Sequence, residues 1–416
     1  VRPVPCFTIF PPGELPMSIT LMRASLLSLA VMFGPNCFGQ QPNVHACPFC
    51  GMQGQTLTGD VNQASMVLFG TLKNAKLDNG DVGQGTTELH IDSVIKPHDI
   101  LANKKVVVLP RYVPTDKDKG AKFLIFCDVF KGKIDPYRGV PVKDGSDMVK
   151  YLQGALAVKD KDTASRLRFA FDYLDNADLE VSNDAYKEFG NADYKDYKDL
   201  ATKLPADKLA KWLKDPNTPS FRFGTYGSLL GHCGTAKDAE LLRSMLDDPQ
   251  KRVTSGIDGM LAGYIMLQPK EGWQYLQGIL KDTKKDFLFR YAGLRAIRFF
   301  WDYRSDIIAK ADLQKGAELL LEQGDIADLA IEDLRKWKAW DALERVLALS
   351  SKPSHDAPII QRAILRFALS CQEKPKAAEY VKAMRQKDAE KVKDVEDLLK
   401  LETTVKPAPT TQAKTK

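Results

Sequence analysis

Two periodicities of apolar positions divide the chain. Between residues 66 and 130 they fall in short runs: MVLFGTL (Met66–Leu72), TELHIDSVI (Thr87–Ile95), KVVVLPRYV (Lys105–Val113) and KFLIFCDVF (Lys122–Phe130). β-branched and aromatic residues fill these runs, which predicts four strands. Pro110 breaks the third, and Asn79-Gly80 between the first two is a hairpin signal. Antiparallel strands at this spacing suggest a small barrel or sandwich. From Ser146 onward the pattern turns helical, punctuated by Asp-Pro, Gly and Lys-Pro turns. YGSLLG, DGMLAG and AGLRAI place Gly227, Gly259 and Gly293 at intervals of 32 and 34 residues, and ILRFAL lies two further periods on. DAELLRSML, GWQYLQGIL and KAAEYVKAM supply second amphipathic helices. A period of about 30 to 40 residues with two helices predicts a solenoid, because one helix pair cannot bury its apolar face alone.

The N-terminal region departs from both patterns. LLSLAVMF (Leu26–Phe33) is an apolar run preceded by Arg23, as in a signal peptide, and Cys37-Phe38-Gly39 suits cleavage before Gln40. Met17 or Met22 is then the expected start, with the residues before it an upstream extension. Asn36, where a small residue is needed, argues against lipidation of Cys37. The run falls short of the roughly 18 residues that cross a bilayer, so no transmembrane anchor is expected after cleavage. A periodic change near Asp144-Gly145 completes the expected organisation: extension and signal peptide over 1–39, a β-rich domain over 40–145 carrying the CPFC segment, a helical repeat domain over 146–402, and a disordered tail over 403–416.

The composition agrees with an α+β multidomain protein. Of 416 residues 44% are hydrophobic and 27% charged, which suits globular domains rather than disorder. The net charge of +6 comes from interspersed signs, as in Lys159 to Asp162, and gives no reason to expect nucleic acid as a partner.

HACPFCGM (His45–Met52) is the sharpest local signal. Two cysteines three apart can form a disulfide, act as a redox dithiol, or offer thiolates to copper or zinc, with His45 and Met52 as further donors beside Cys47 and Cys50. Haem is excluded because Gly51, not histidine, follows the second cysteine. Export favours a bridge. Joining Cys47 to Cys50 closes a tiny loop. A bridge from either to Cys127 closes roughly 80 residues, with a nominal gain of about 4 kcal/mol, so stability favours the long one. Cys233 and Cys371 read as buried thiols. Arg290, Arg295, Arg298 and Arg304 offer an anion or partner ridge, against the simpler expectation of a salt-bridged face. Phe299, Phe300, Trp301 and Tyr303 read as core, and DYKDYKD (Asp193–Asp199) receives no role. G-x-S-x-G, P-loop, GxGxxG and HExxH patterns do not occur, so no catalytic residue is assigned.

Three resemblances follow from these strings. The order C-x-x-C, ASMVLFGTL, TTELHIDSVIK, KVVVLP, KFLIFCDV resembles the netrin-type, OB-like barrel of tissue inhibitors of metalloproteinases, through Val67–Leu72, Ile91–Lys96 and Phe123–Phe126. That implies an early cysteine pinned onto a barrel. The C-x-x-C spacing and the internal position of Cys47 depart from those inhibitors, so metalloproteinase inhibition does not carry over. The helical part resembles HEAT-like repeats. CxxCGM is similar to the metal-binding loop of copper-accessory lipoproteins for nitrous oxide reductase, which would imply copper. The expected function is a periplasmic or secreted, non-catalytic binding or scaffold protein with a protein or other extracytoplasmic partner. The alternative is a periplasmic metal-binding or thiol-handling protein.

Overall fold

The computed structural model describes residues 47–78, 84–114, 120–248 and 255–404. The expected signal peptide, His45, the Asn79-Gly80 turn and the tail beyond Thr404 lie outside them. A short helix, α1 (Leu57–Gln63), precedes five strands: β1 (Met66–Leu77), β2 (Gly85–Lys96), β3 (Val106–Leu109), β4 (Ala121–Phe130) and β5 (Lys133–Pro141). All pair antiparallel, in the order β3-β2-β1-β4-β5. The first four correspond to the four apolar runs. The fifth, KIDPYRGVP, escaped sequence analysis because Pro136, Gly139 and Pro141 disfavour a strand; they are tolerated here because β5 is an edge. β1 occupies the centre and is buried on both faces. Gly70 lies where it crosses β2 closely: a Cβ there would sit 2.1 Å from the His90 carbonyl oxygen.

The period of two along each strand assigns the faces. Val67, Leu124 and Phe126 face the helices and belong to the main core. Met66, Leu68, Leu72, Ile125 and Cys127 face the other way, into a second core with Leu89, Val107 and Leu109. That face is concave, and both sheet edges line one cleft of 230 Å³: Leu109 to Arg111 and Val113 at one side, Pro136 to Gly139 at the other. No ladder joins β3 to β5 among the described residues, so the sheet is open.

Helices follow from Met148. They are α2 (Met148–Val158), α3 (Thr163–Phe171), α4 (Leu179–Asn191), α5 (Tyr194–Ala201), α6 (Ala206–Lys214), α7 (Phe223–Cys233), α8 (Ala236–Asp247), α9 (Ile257–Leu267) and α10 (Pro269–Lys281). After these come α11 (Phe287–Tyr303), α12 (Lys310–Glu318), α13 (Ala327–Lys336), α14 (Leu343–Ala348), α15 (Pro358–Ser370), α16 (Pro375–Lys387) and α17 (Ala389–Thr404). Their starts carry local signals: Asp162, Asp178, Asp193 and Asp286 accept from first-turn amides, and Pro269, Pro358 and Pro375 open α10, α15 and α16. Among the described residues no helix is long and apolar enough to cross a membrane. Helix α7 packs along α9, α9 along α11, and α13 along α15. The α7–α9 contact is backbone-close: a Cβ on Gly259 would sit 2.1 Å from the Gly224 carbonyl oxygen, and one on Gly263 2.1 Å from that of Gly227.

Helix α1 joins sheet and helices. Asp184 of α4 accepts from the amides of Leu57 (2.5 Å) and Thr58 (3.3 Å), two unpaired donors of its first turn, and from the Tyr151 hydroxyl at 3.0 Å. Asp60 of α1 pairs with Arg138 of β5. Lys96 at the end of β2 donates to the Val61 and Asn62 carbonyls. One hydrophobic core consequently runs from the inner sheet face into the helices.

Candidate functional site

Cys47 and Cys50 form a disulfide, with Cα atoms 5.5 Å apart. Cys127 stays a buried free thiol, as does Cys371, while Cys233 is half-buried. The long bridge to Cys127 does not form. Cys127 points into the concave core, whereas its neighbour Phe126 faces the main core in which Cys47 lies. Strand alternation thus places the two sulfurs on opposite sides of the sheet. Burial pushes the Cys127 thiol up to about 12, with Asp128 and Asp135 adding to the effect.

The bridged segment is seated on helices. The Cys47 amide donates to the Gly190 carbonyl at the end of α4. Tyr197 of α5 reaches the Cys47 sulfur at 3.4 Å. Thr225 of α7 lies 3.3 Å from both the Phe49 carbonyl and the Cys50 sulfur. Arg295 of α11 donates to the Pro48 carbonyl at 3.2 Å and stands 2.8 Å from Asp258 of α9. Burial pushes the Asp258 carboxyl up, while Arg295 opposes that shift. The Gly51 amide donates to the Tyr186 hydroxyl at 3.1 Å. The segment expected within the β-rich domain is therefore anchored on α4, α5, α7 and α11, where Cys47 and Phe49 find an apolar core.

Of the four donors considered for copper or zinc, His45 lies outside the described residues and Met52 packs half-buried against the main core. Cys47 and Cys50 commit both sulfurs to the bridge, which leaves no thiolate for a soft metal until it is reduced. Among the described residues no group of three or more His, Cys, Asp or Glu side chains is placed to hold a metal ion.

Phe49 links the bridge to a cleft. Its ring lies 4.7 Å from Phe299 of α11, which meets Tyr194 of α5 edge-on at 5.0 Å. Tyr194 packs 5.0 Å from Tyr303 and 5.5 Å from Tyr197. Its hydroxyl is 3.0 Å from His232 Nε2 at the end of α7. Beyond this aromatic column opens a cleft of 430 Å³, walled by Tyr194, His232, Met266, Tyr303 and Arg304, with Lys198, Asp199 and Asp306 among its exposed residues. Burial lowers the His232 imidazole to about 4, helped by Arg304 and Lys198 and opposed by Asp199 and Asp306. Burial raises the Tyr194 phenol, with an Arg304 hydrogen bond opposing it. At neutral pH the phenol therefore keeps its proton, accepts from Arg304 and shares a hydrogen bond with Nε2 of the neutral imidazole.

The four arginines considered as a ridge, against the simpler expectation of a salt-bridged face, each pair with a carboxylate. Arg290 pairs with Asp325, Arg295 with Asp258, Arg298 with Asp333 and Arg304 with Asp306. On one helix, Arg295 and Arg298 stand about 140° and about 80° around the axis from Arg290. Only Arg304 reaches the cleft. Tyr194, Tyr197, Lys198 and Asp199 all fall within DYKDYKD, a stretch whose sequence pattern carried no site. The signal present there was a tyrosine pair at i and i+3, one helical face. No family model matches the sequence, and neither a curated protein nor a solved structure shows significant similarity to it.

Proposed function

We propose that this chain is an exported, non-catalytic binding or scaffold protein, with the helical array as its binding surface and the sheet as a second module. The observation that carries the reading is the seating of the Cys47–Cys50 segment. Its sulfurs and the Pro48 and Phe49 carbonyls are met by side chains of α5, α7 and α11, the helices that wall the cleft. A bridge so tied serves to set those helices against one another. Export is supported by the bridge itself, which persists in oxidising compartments, and by the Arg23–Phe33 pattern. We take the curled sheet as a module of the OB or netrin type, supported by its two edges lining one cleft. The helix pairs are read as HEAT-like units, supported by the side-by-side packing of α7, α9 and α11.

The test is hydrogen exchange on the purified exported chain, with and without small-molecule and macromolecular fractions of the same compartment. Protection confined to the helical array is the expected result. Protection in neither fraction would overturn the binding reading. Mass mapping without reductant, with elemental analysis, tests the metal or thiol alternative: reduced Cys47 and Cys50 with stoichiometric copper or zinc would replace the present reading by it.

A further inference from the structure

The cleft between α5, α7, α9 and α11 carries an arrangement of charge that restricts what can bind it. Arg304 directs Nε and Nη2 at Asp306, at 2.9 Å each. Its Nη1 lies 3.4 Å from the Met266 sulfur, a weak acceptor, and Arg304 also donates to the Tyr194 hydroxyl, so a ligand carboxylate would displace a thioether and share the guanidinium with a phenol. Lys198 and Asp199 stand exposed on α5, and Asp306 is exposed beside Arg304. Two cations and two carboxylates therefore ring one cavity. The neutral His232 adds no charge, and its Nε2 already faces Tyr194. The rest of the wall is mixed: Met266, Ile307 and the Tyr303 ring give it apolar surface beside Thr202 and Gly231. A ligand of one sign would meet as much repulsion as attraction here. A ligand carrying both signs a few ångströms apart, with an apolar substituent, meets a complement for each part.

We propose that this cleft binds a small zwitterion of the α-amino acid class, its carboxylate toward Lys198 and Arg304 Nη1, its ammonium toward Asp199 and Asp306, its side chain against Met266 and Tyr303. The proposal rests on the binding reading and names the ligand class for it. Asp306 is free to swing from Arg304 to the ammonium because its side chain is 64% exposed. The Phe49–Phe299 contact holds the Tyr194 wall from behind, so the bridged segment keeps the cleft formed before ligand arrives.

Isothermal titration of the oxidised full chain with glycine, L-leucine and L-phenylalanine tests this, alongside N-acetyl-L-phenylalanine and L-phenylalaninamide, which each lack one charge. Saturable binding of at least one free amino acid is expected. For L-phenylalanine, each blocked analogue should bind at least about tenfold more weakly, as losing a charge-assisted contact implies. Lys198→Met, at an exposed position, should weaken the amino acid about tenfold, leave the amide unchanged and leave the melting temperature unchanged. No saturable heat with any free amino acid, or analogues binding as well as the parent, would overturn the proposal. Binding of the acetylated analogue alone would also overturn it, making the cleft an anion site. Hydrogen-exchange protection by another component, without amino-acid binding, would remove this proposal and leave the binding reading standing.

Discussion

Asp184 and His232 titrate in opposite senses, and each has a cause visible at the level of single groups. Burial is the main cause raising Asp184 from 3.8 to about 6, against the amides of Leu57 and Thr58 and the Tyr151 hydroxyl, which hold its charged form. Between those values the folded chain binds more protons than the unfolded one, so this group's contribution to stability falls as pH rises from about 4 to 6. His232 is the reverse. Its folded value drops from 6.5 to about 4, the unfolded chain binds more protons in that window, and stability rises with pH through it. The two slopes oppose each other. Urea unfolding at pH 4.5, 5.5 and 6.5 should therefore show His232→Gln losing less stability on acidification than the parent, and Asp184→Asn losing more. Identical pH slopes in all three proteins would contradict the assignment. Tyr186 supplies a second test at this scale. Its hydroxyl accepts from Gly51 and donates to the Phe221 carbonyl or to Thr225. Tyr186→Phe should cost about 1 to 2 kcal/mol in a denaturant titration, since the partly buried Gly51 amide and Phe221 carbonyl lose a shared partner.

Helix contacts obey a stricter geometry than propensity suggests. Glycine in a helix interior costs about 1 kcal/mol relative to alanine, so Gly259 and Gly263 look like defects in α9. Their Cβ atoms would instead collide with the backbone of α7, which no rotamer change relieves. Gly278 in α10 has open space around it. Gly263→Ala should destabilise by about 3 kcal/mol or more through forced separation of α7 and α9. Gly278→Ala should stabilise by up to about 1 kcal/mol. Melting curves of the two variants shifting in the same direction would show that close approach does not govern this helix pair. The sheet illustrates a related point: β5 contains two prolines and still pairs with β4, because its outer edge needs no ladder donors.

Across the whole molecule, the segment from Cys47 to Gln63 ties the sheet to the helices. The disulfide closes too short a loop for much chain-entropy gain, while Phe49 is 4% exposed and fills the space beside Phe299. Phe49→Ala should accordingly cost about 3 to 5 kcal/mol, more than Cys47→Ala with Cys50→Ala together. Equilibrium unfolding under oxidising conditions measures both. A larger loss from the cysteine pair would make the bridge, not the aromatic contact, the main anchor. The same comparison bears on the cleft, since Phe49 supports the Tyr194 wall through Phe299, whereas the Cys47 sulfur reaches that helix through Tyr197.

Apolar periodicity alone determined the four strand runs, the change to helices near Asp144-Gly145 and the regular spacing of Gly227, Gly259 and Gly293, because burial on one face writes a period of two or about 3.6 into the sequence. It also marked Cys47 and Cys50 as the distinctive pair. Their partner choice was decided by the tertiary fold: loop entropy favoured Cys127, but alternation along β4 turned that thiol to the far side of the sheet. The open sheet edge and β5 depended on neighbours that no local pattern records. The cleft was the least legible feature. Tyr194 and Lys198, His232, Met266 and Arg304 lie on or just beyond four helices, separated by up to about a hundred residues of chain. Each reads as an ordinary surface or core residue in its own helix, and they acquire a shared chemistry only when α5, α7, α9 and α11 pack side by side, with the Cys47–Cys50 segment seated on α5, α7 and α11.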